Sequence, residues 1–219
     1  HTEAIWLLRR AIRRWPTEGA NYYILANIFW DQRKFEEALE LYRFAACLGD
    51  KDEQLVMSYF SAACWFRQAP EVLRFLRDRF ERFGGKSSQP ARTLANAYMQ
   101  MDLNREALST VEAAIGLRPQ DGELLLFAAD LYVACSLENR PRTLELLEQA
   151  RDKAPRGQWL RTSARLANLV GEHQESLSLW QEVLAFSPLA LDAHSAVTRL
   201  LAVIQGQEAA RAHLGAACD

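Results

Sequence analysis

Histidine and cysteine, the side chains most often used in nucleophilic catalysis and metal binding, are few and scattered in this sequence. The four histidines are His1, His173, His194 and His213, and none of them lies in an HExxH arrangement. The sequence contains no glycine-rich phosphate-binding motif and no GxSxG motif. We therefore predict that the chain is not an enzyme and that it uses no cofactor and no metal ion.

Carboxylates and thiols give no stronger indication of chemistry. Glu36 and Glu40 are spaced to lie on one helical face, but no apolar pocket surrounds them to raise a pKa, so we interpret them as solvent-exposed. The four cysteines lie far apart and none forms a CxxC pair, which favours free thiols in a reducing compartment over a zinc site or a disulfide framework.

The composition narrows the class of protein further. A net charge of −2 lacks the basic excess that phosphate neutralisation needs, so no nucleic acid is expected as a partner. No apolar stretch reaches the ~18 residues of a membrane span. A cytoplasmic location is expected. The periplasm stays open because His1 stands in place of Met, which suggests that the native N-terminus is missing.

Along the chain, proline, glycine and small residues recur with a period of about 34 residues. Gly19, Glu53 and Gly122 are three of the positions at which a new segment begins. Within the first full segment, apolar residues spaced at i, i+3, i+4 and i+7 predict one amphipathic helix, and a second apolar stripe follows after a break. The stripes contain Tyr22, Leu25, Ala26 and Phe29, and then Ala38, Tyr42 and Ala45.

This pattern resembles the tetratricopeptide repeat: an aromatic residue or Leu, then Leu-Ala, an aromatic residue, and later Ala, an aromatic residue, Ala and Pro. Residues 19–52 match it except at Asp50, which stands where Pro is usual. The match is weakest at 53–87, where Arg79 replaces Ala, and we expect Arg79 to loosen or re-angle that helix pair. Pro70 and Pro141 are expected in the first turns of their helices, where Pro is tolerated.

The resemblance implies an all-α, right-handed superhelical α-solenoid of antiparallel helix pairs with about six and a half repeats. Its implied organisation is a single solenoid over 1–219, with an unpaired second helix at 1–18, full repeats at 19–52, 53–87, 88–121, 122–156 and 157–190, and a shortened terminal repeat at 191–219. The unpaired helix suggests that the sequence is part of a longer array.

The resemblance also implies a concave groove lined by the first helices. The expected peptide-binding residues in that groove are Tyr23, Asn27, Trp30, Met57, Ser61, Trp65, Arg92, Asn96, Met99, Asp130, Arg161, Arg165 and Arg199.

For each group of expected groove residues, a role in peptide binding stands beside a simpler structural role. The amides of Asn27 and Asn96 suit the backbone of an extended peptide, but such side chains also cap turns. Trp30 and Trp65 suit an apolar anchor, but helical arrays bury most aromatics in the core. The arginines suggest an electropositive stripe for an acidic peptide, whereas Asp130 favours ion pairs between neighbouring repeats.

Two other arginine clusters lie outside the expected groove. Arg9, Arg10, Arg13 and Arg14 are interpreted as a solvated face, whereas Arg74, Arg77, Arg79 and Arg82 form the densest basic patch.

One ligand class known for such repeats does not fit the groove residues. Chaperone-binding repeats carry a carboxylate clamp of Lys, Asn and Arg residues. Asn27 fits that clamp, but Tyr23, Ser58, Gln89 and Thr93 do not, so binding of heat-shock-protein tails is not predicted.

We predict a non-catalytic protein-interaction scaffold that holds an extended peptide or helix of a partner in the groove, and the arginines would suit an acidic one. One alternative is a targeting or regulatory segment of a larger enzyme, for example a glycosyltransferase-like one, or of an assembly or secretion factor; a minor one is a nucleic-acid-binding repeat. End-to-end self-association is a further alternative, through exposed apolar residues at Trp6, Ile12 and Trp15 or at Val203, Leu214 and Ala217.

Overall fold

The computed structural model describes residues 2–136 and 139–218, apart from the side chains of residues 217 and 218. His1, residues 137 and 138, Asp219 and the side chains of Ala217 and Cys218 lie outside these residues. The described chain forms thirteen α-helices in succession, which confirms the all-α class. They are α1 (Thr2–Arg14), α2 (Gly19–Asp31), α3 (Phe35–Leu48), α4 (Glu53–Trp65), α5 (Ala69–Phe83), α6 (Gln89–Met99), α7 (Asn104–Leu117), α8 (Gly122–Cys135), α9 (Arg140–Ala150), α10 (Arg156–Leu169), α11 (His173–Phe186), α12 (Leu191–Ile204) and α13 (Gln207–Cys218).

Close contacts divide the helices into two units, one up to Ala114 and one from Ile115. In the first unit, α2 packs against α3, α3 against α4, and α5 against α6. In the second, α8 packs against α9, and α10, α11 and α12 each pack against the next helix. Each unit is therefore built by neighbours in sequence, as expected for a stack of helix pairs.

Small residues allow the paired helices to approach closely. In the first unit, Ala26 on α2 faces a partner helix that contributes Ala38 and Ala45, and all three are fully buried. Leu25 and Phe29 are buried beside them. Burial of this stripe removes apolar surface from water, and the helices depend on that burial because short helices are marginal on their own.

The turns between paired helices share one backbone conformation. Arg33, Arg67, Asp102, Gly171 and Gly206 all have positive φ angles, between 58° and 96°. The residue that follows each of Arg33, Arg67, Asp102 and Gly171 donates its N–H to the carbonyl oxygen of the residue five positions earlier. This is the Schellman helix end, in which a left-handed residue satisfies carbonyls that the helix leaves unpaired. The chain reverses direction at each such turn.

Proline lies in the first turn of three helices. Pro70 in α5, Pro90 in α6 and Pro141 in α9 each occupy one of the first two helical positions. The expectation for Pro70 and Pro141 is therefore confirmed. Proline fits here because the first N–H groups of a helix have no acceptor within the helix.

Arg79 departs from one of the two expectations placed on it. Its side chain is only 1% exposed and forms a bidentate ion pair with Glu53, with Nη1–Oε2 at 3.0 Å and Nη2–Oε1 at 2.8 Å. Nε also donates to the carbonyl oxygen of Asp50 at 2.9 Å. Arg79 therefore joins α5 to the start of α4 and does not belong to a solvent-facing basic patch. The α4–α5 contact is less extensive than the α2–α3 contact, as the bulky residue led us to expect.

Candidate functional site

A cleft of about 400 Å³ lies between α2, α3 and α4 in the first unit. Four expected groove residues meet in it: Trp30, Met57, Ser61 and Trp65. The side chains that complete the lining are Tyr42, Gln54, Ser58 and Ala62. We refer to these eight residues as the aromatic cleft.

An aromatic cluster forms one wall of the aromatic cleft. The rings of Trp30 and Trp65 lie edge to face, with centroids 6.2 Å apart. Phe35 joins them at 4.9 Å from Trp30 and 6.1 Å from Trp65. Trp65 is nevertheless 68% exposed, so it is not the buried core residue that the simpler alternative foresaw. Trp30 is half-buried, so it both packs against its neighbours and lines the cleft.

Asn27 lies beside the cleft and is engaged within the chain. Its Oδ1 accepts a hydrogen bond from the Tyr42 hydroxyl at 2.7 Å. Side-chain hydrogen bonds from Asn27 and then Gln54 lower the pKa of Tyr23, whose oxygen accepts from Gln54 Nε2 at 3.2 Å. Burial raises the pKa of Tyr42 to about 12. Asn27 thus positions two tyrosines, and less of its amide is available to a peptide than the sequence suggested.

The expected residues in the second unit are largely paired with acidic side chains. Arg161 Nε lies 2.9 Å from Asp192 Oδ2, and Arg165 Nη2 lies 2.7 Å from Asp130 Oδ2. The hydrogen bond from Arg161 lowers the pKa of Asp192. Arg199 Nε donates to the carbonyl oxygen of Ser195 at 3.3 Å. Ion pairing between neighbouring helices therefore accounts for Arg161 and Arg165, which limits the electropositive stripe.

Comparison with solved structures shows the fold. A thermophilic TPR protein of Thermus thermophilus is similar with a TM-score of 0.58 at 19% identity, over 84% of this chain and 98% of that chain. Yeast Tom70 is similar with a TM-score of 0.64 at 16% identity, over 98% of this chain and 44% of that chain. The chain has the tetratricopeptide-repeat fold.

A chain of the APC/C hetero-tetramer Cut9–Hcn1 has the same repeat fold, with a TM-score of 0.57 at 11% identity over 99% of this chain and 42% of that chain. The present chain thus spans less than half of the Tom70 and Cut9–Hcn1 chains. No protein-family model and no curated protein sequence matches it.

The tetratricopeptide-repeat fold does not bring all the expected residues together. Arg92, Asn96 and Met99 lie on α6 and do not line the aromatic cleft. Asn96 is exposed, and the other two are half-buried. The structure thus brings together the expected residues of α2 and α4 and leaves those of α6 apart from them.

Sequence reasoning left Tyr42 and Ser58 out of the site. Tyr42 belongs to the apolar stripe of a second helix and was assigned to the core, yet its hydroxyl end reaches the cleft. Ser58 lies one helical turn after Gln54 and donates to its carbonyl oxygen at 2.8 Å. The spacing of Gln54, Ser58 and Ser61 along one face of α4 was the available signal.

The other side chains considered for chemistry lie on several helices of the tetratricopeptide-repeat fold. In the described residues no group of three or more His, Cys, Asp and Glu side chains is placed to hold a metal ion. Likewise, none of the described helices combines the length and the apolar character that crossing a membrane requires. Of the arginines expected to form a basic patch, Arg77 donates to the Tyr98 hydroxyl at 2.5 Å and Arg82 stacks on Phe83.

Proposed function

We propose that this protein is a non-catalytic protein-interaction module that holds an extended segment of a partner protein in the aromatic cleft. The observation that carries this proposal is the exposed Trp65 ring beside Trp30 and Met57 in a cleft of about 400 Å³. Exposed aromatic residues in such clefts supply much of the binding free energy at protein interfaces.

The chemistry of the lining indicates what the partner segment offers. None of the eight lining side chains is charged. The aromatic rings and the Met57 thioether suit one bulky apolar side chain of the partner, since thioethers adapt to its shape. Gln54, Ser58 and Ser61 supply hydrogen-bonding groups for a peptide backbone. We therefore favour a neutral, apolar anchor at this cleft over the acidic peptide considered from the sequence.

The fold supports this assignment in a general way. The solved structure of the Cut9–Hcn1 hetero-tetramer shows a chain of this fold within a protein assembly. Because fold alone does not determine function, the cleft itself carries the proposal for the present chain.

Selection from a random-peptide display library tests the proposal. We expect the wild-type chain to enrich peptides that share an apolar residue, and the Trp65→Ala variant to bind them at least about tenfold more weakly. Phe186→Ala is the matched control, since Phe186 is similarly exposed but lies in the second unit. Peptides that bind wild type and Trp65→Ala equally would contradict the proposal.

Trp65 is a better position than Asn27 for a substitution that tests peptide binding. Replacing Asn27 removes the acceptor of the Tyr42 hydroxyl and so changes the wall of the cleft as well as any peptide contact. Trp65 is mostly exposed, and its truncation is expected to change the free energy of unfolding by less than about 1 kcal/mol.

A further inference from the structure

A second cavity, of about 290 Å³, lies within the second unit and is lined by residues of α8 to α11. Its walls are mostly apolar: Leu144 and Leu147 of α9 face Leu166 of α10 and Val170, which follows that helix, and the Trp159 ring adds a flat surface. The Trp159 Nε1–H donates to the carbonyl oxygen of Leu147 at 2.9 Å, so the polar atom of that ring is satisfied. This volume lies near the lower end of small-molecule sites, roughly 300–1,000 Å³.

One polar group in the cavity lining has no partner. Ser163 of α10 is 7% exposed, and its buried hydroxyl forms no hydrogen bond within the described residues. The neighbouring buried hydroxyls behave differently: Thr143 donates to the carbonyl oxygen of Asn139, and Ser176 to that of Ala164. A buried hydroxyl without a partner costs free energy, which a ligand atom of the right kind would recover.

The charged residues at the edge of the cavity offset one another. Arg140 pairs with Glu172, and Arg151 lies 3.7 Å from Glu148 while it stacks over Trp159 at 5.9 Å. Glu175 adds one further carboxylate to the lining. An anionic ligand would meet this carboxylate without a free cation among the described lining residues to compensate it, and any charged ligand would lose its hydration.

We propose that this cavity binds a small uncharged molecule with an aromatic or branched aliphatic body and one oxygen atom that accepts a hydrogen bond from Ser163. The apolar walls hold the body, and the hydroxyl orients it. This site lies in the second unit and does not depend on the aromatic cleft of the first, so either proposal can fail without the other.

Three related probes test the proposal: 1-indanone, which has a carbonyl acceptor; indane, which lacks it; and indane-1-carboxylate, which is charged. Binding is followed by the NMR signals of the Leu144, Leu166 and Val170 methyl groups. We expect 1-indanone to cause saturable shifts, and the carboxylate to bind at least about tenfold more weakly because of the cost of burying its charge.

Ser163→Ala separates the hydrogen bond from the apolar contact. We expect it to weaken 1-indanone about three- to tenfold and to leave indane unchanged, as the loss of one neutral hydrogen bond predicts. Ala167→Leu fills the cavity and is expected to abolish both shifts, whereas Ala185→Leu, at an exposed position of α11, leaves them intact.

The absence of saturable shifts with every probe would overturn the proposal. So would equal binding by a folded Ala167→Leu variant, or an equal effect of Ser163→Ala on 1-indanone and indane. If Ala167→Leu does not fold, the selective loss of 1-indanone binding in Ser163→Ala decides the question.

Discussion

At the scale of single residues, Arg79 shows how a side chain that breaks the repeat pattern becomes part of the structure. The guanidinium is buried, but each of its nitrogen atoms has an oxygen acceptor on Glu53 or Asp50. Glu53 also accepts a hydrogen bond from the Thr93 hydroxyl, so three helices meet at this carboxylate. A buried charge is tolerated only with such complete pairing.

Removing the Arg79 guanidinium should therefore destabilise the first unit. We expect Arg79→Met to lower the free energy of unfolding by about 3 kcal/mol, because Glu53 and the Asp50 carbonyl lose their donors. Denaturant titration measures the change. Arg82→Met, at an exposed position of the same helix, is the control and should cost less than about 0.5 kcal/mol. A loss below about 1 kcal/mol for Arg79→Met would show that the ion pair contributes little.

At the scale of helices, two glycines have opposite environments. A Cβ atom on Gly122, at the start of α8, would lie 2.3 Å from the backbone nitrogen of Ala154 and 2.4 Å from the carbonyl carbon of Lys153. A Cβ atom on Gly116, inside α7, would meet nothing within 4 Å. Gly122 thus permits a close backbone approach, whereas Gly116 does not need to be glycine.

Alanine substitutions at these two positions should have opposite signs. Gly122→Ala is expected to destabilise by about 1–3 kcal/mol, since backbone atoms cannot move aside as a side chain can. Gly116→Ala is expected to stabilise by about 0.5–1 kcal/mol, because alanine loses less conformational entropy in a helix. Thermal or denaturant unfolding of the two variants measures both, and a stabilising Gly122→Ala would contradict the close approach.

The last helix is held in part by a pair of histidines. His194 Nε2 lies 2.7 Å from the carbonyl oxygen of Pro188, which can only accept, so this nitrogen carries a proton. His194 Nδ1 then accepts from His213 Nε2, 3.1 Å away. Burial, and then the proximity of His194, lower the pKa of His213 below its usual 6.5. The arrangement favours a neutral His213 ring.

Acidification should therefore release α13. Because the unfolded helix binds a proton more readily than the folded one, the contribution of His213 to stability is fully present above about pH 6.5. It is lost as the pH falls below that value and through the lower pKa of His213 in the folded chain. Asp192 of α12 does not titrate in this window, since Arg161 lowers its pKa from 3.8. The other charged side chains on these two helices are Arg199 of α12 and Glu208 and Arg211 of α13.

Hydrogen exchange of the α13 amides, corrected for intrinsic rates, measures this release between about pH 7.5 and about pH 5.5. Protection should fall in the wild type and change less in His213→Gln, which can still donate to His194 but carries no charge. An equal loss of protection in both chains would assign the effect to other groups.

At the scale of the whole molecule, apolar side chains are exposed on helices near both ends of the described chain. Trp6 of α1 and Trp15, which follows that helix, are more than half exposed, as is Val203 of α12. Ile12, which was expected to be exposed with them, is half-buried. Apolar surface of this kind favours association when it lies in one patch.

We expect the chain to self-associate through these residues, which sedimentation velocity at two concentrations would measure. The sedimentation coefficient should rise with concentration in the wild type and stay constant when Trp6 and Trp15 are both changed to Ser. Phe186→Ser is the control and should still associate. A wild-type coefficient that does not change with concentration would argue for a monomer.

The sequence by itself determined the helical class, the repeat period and the turns, because these depend on local spacing of apolar, small and proline residues. Gly19 and Glu53 begin helices at the positions from which the period was counted. The sequence also indicated that four residues share a face, since equivalent places in neighbouring repeats lie side by side. These residues are Trp30, Met57, Ser61 and Trp65.

Only the tertiary structure decided which side chains are free to bind. Exposure and pairing depend on neighbours that lie 15 to 35 residues away in these examples, which composition and periodicity do not reveal. Trp65 is thus exposed where a core residue was possible, Asn27 is engaged by Tyr42, and Arg165 is paired with Asp130. The unpartnered hydroxyl of Ser163 had no signal in the sequence, because a serine in a helix usually has its own helix carbonyl as an acceptor.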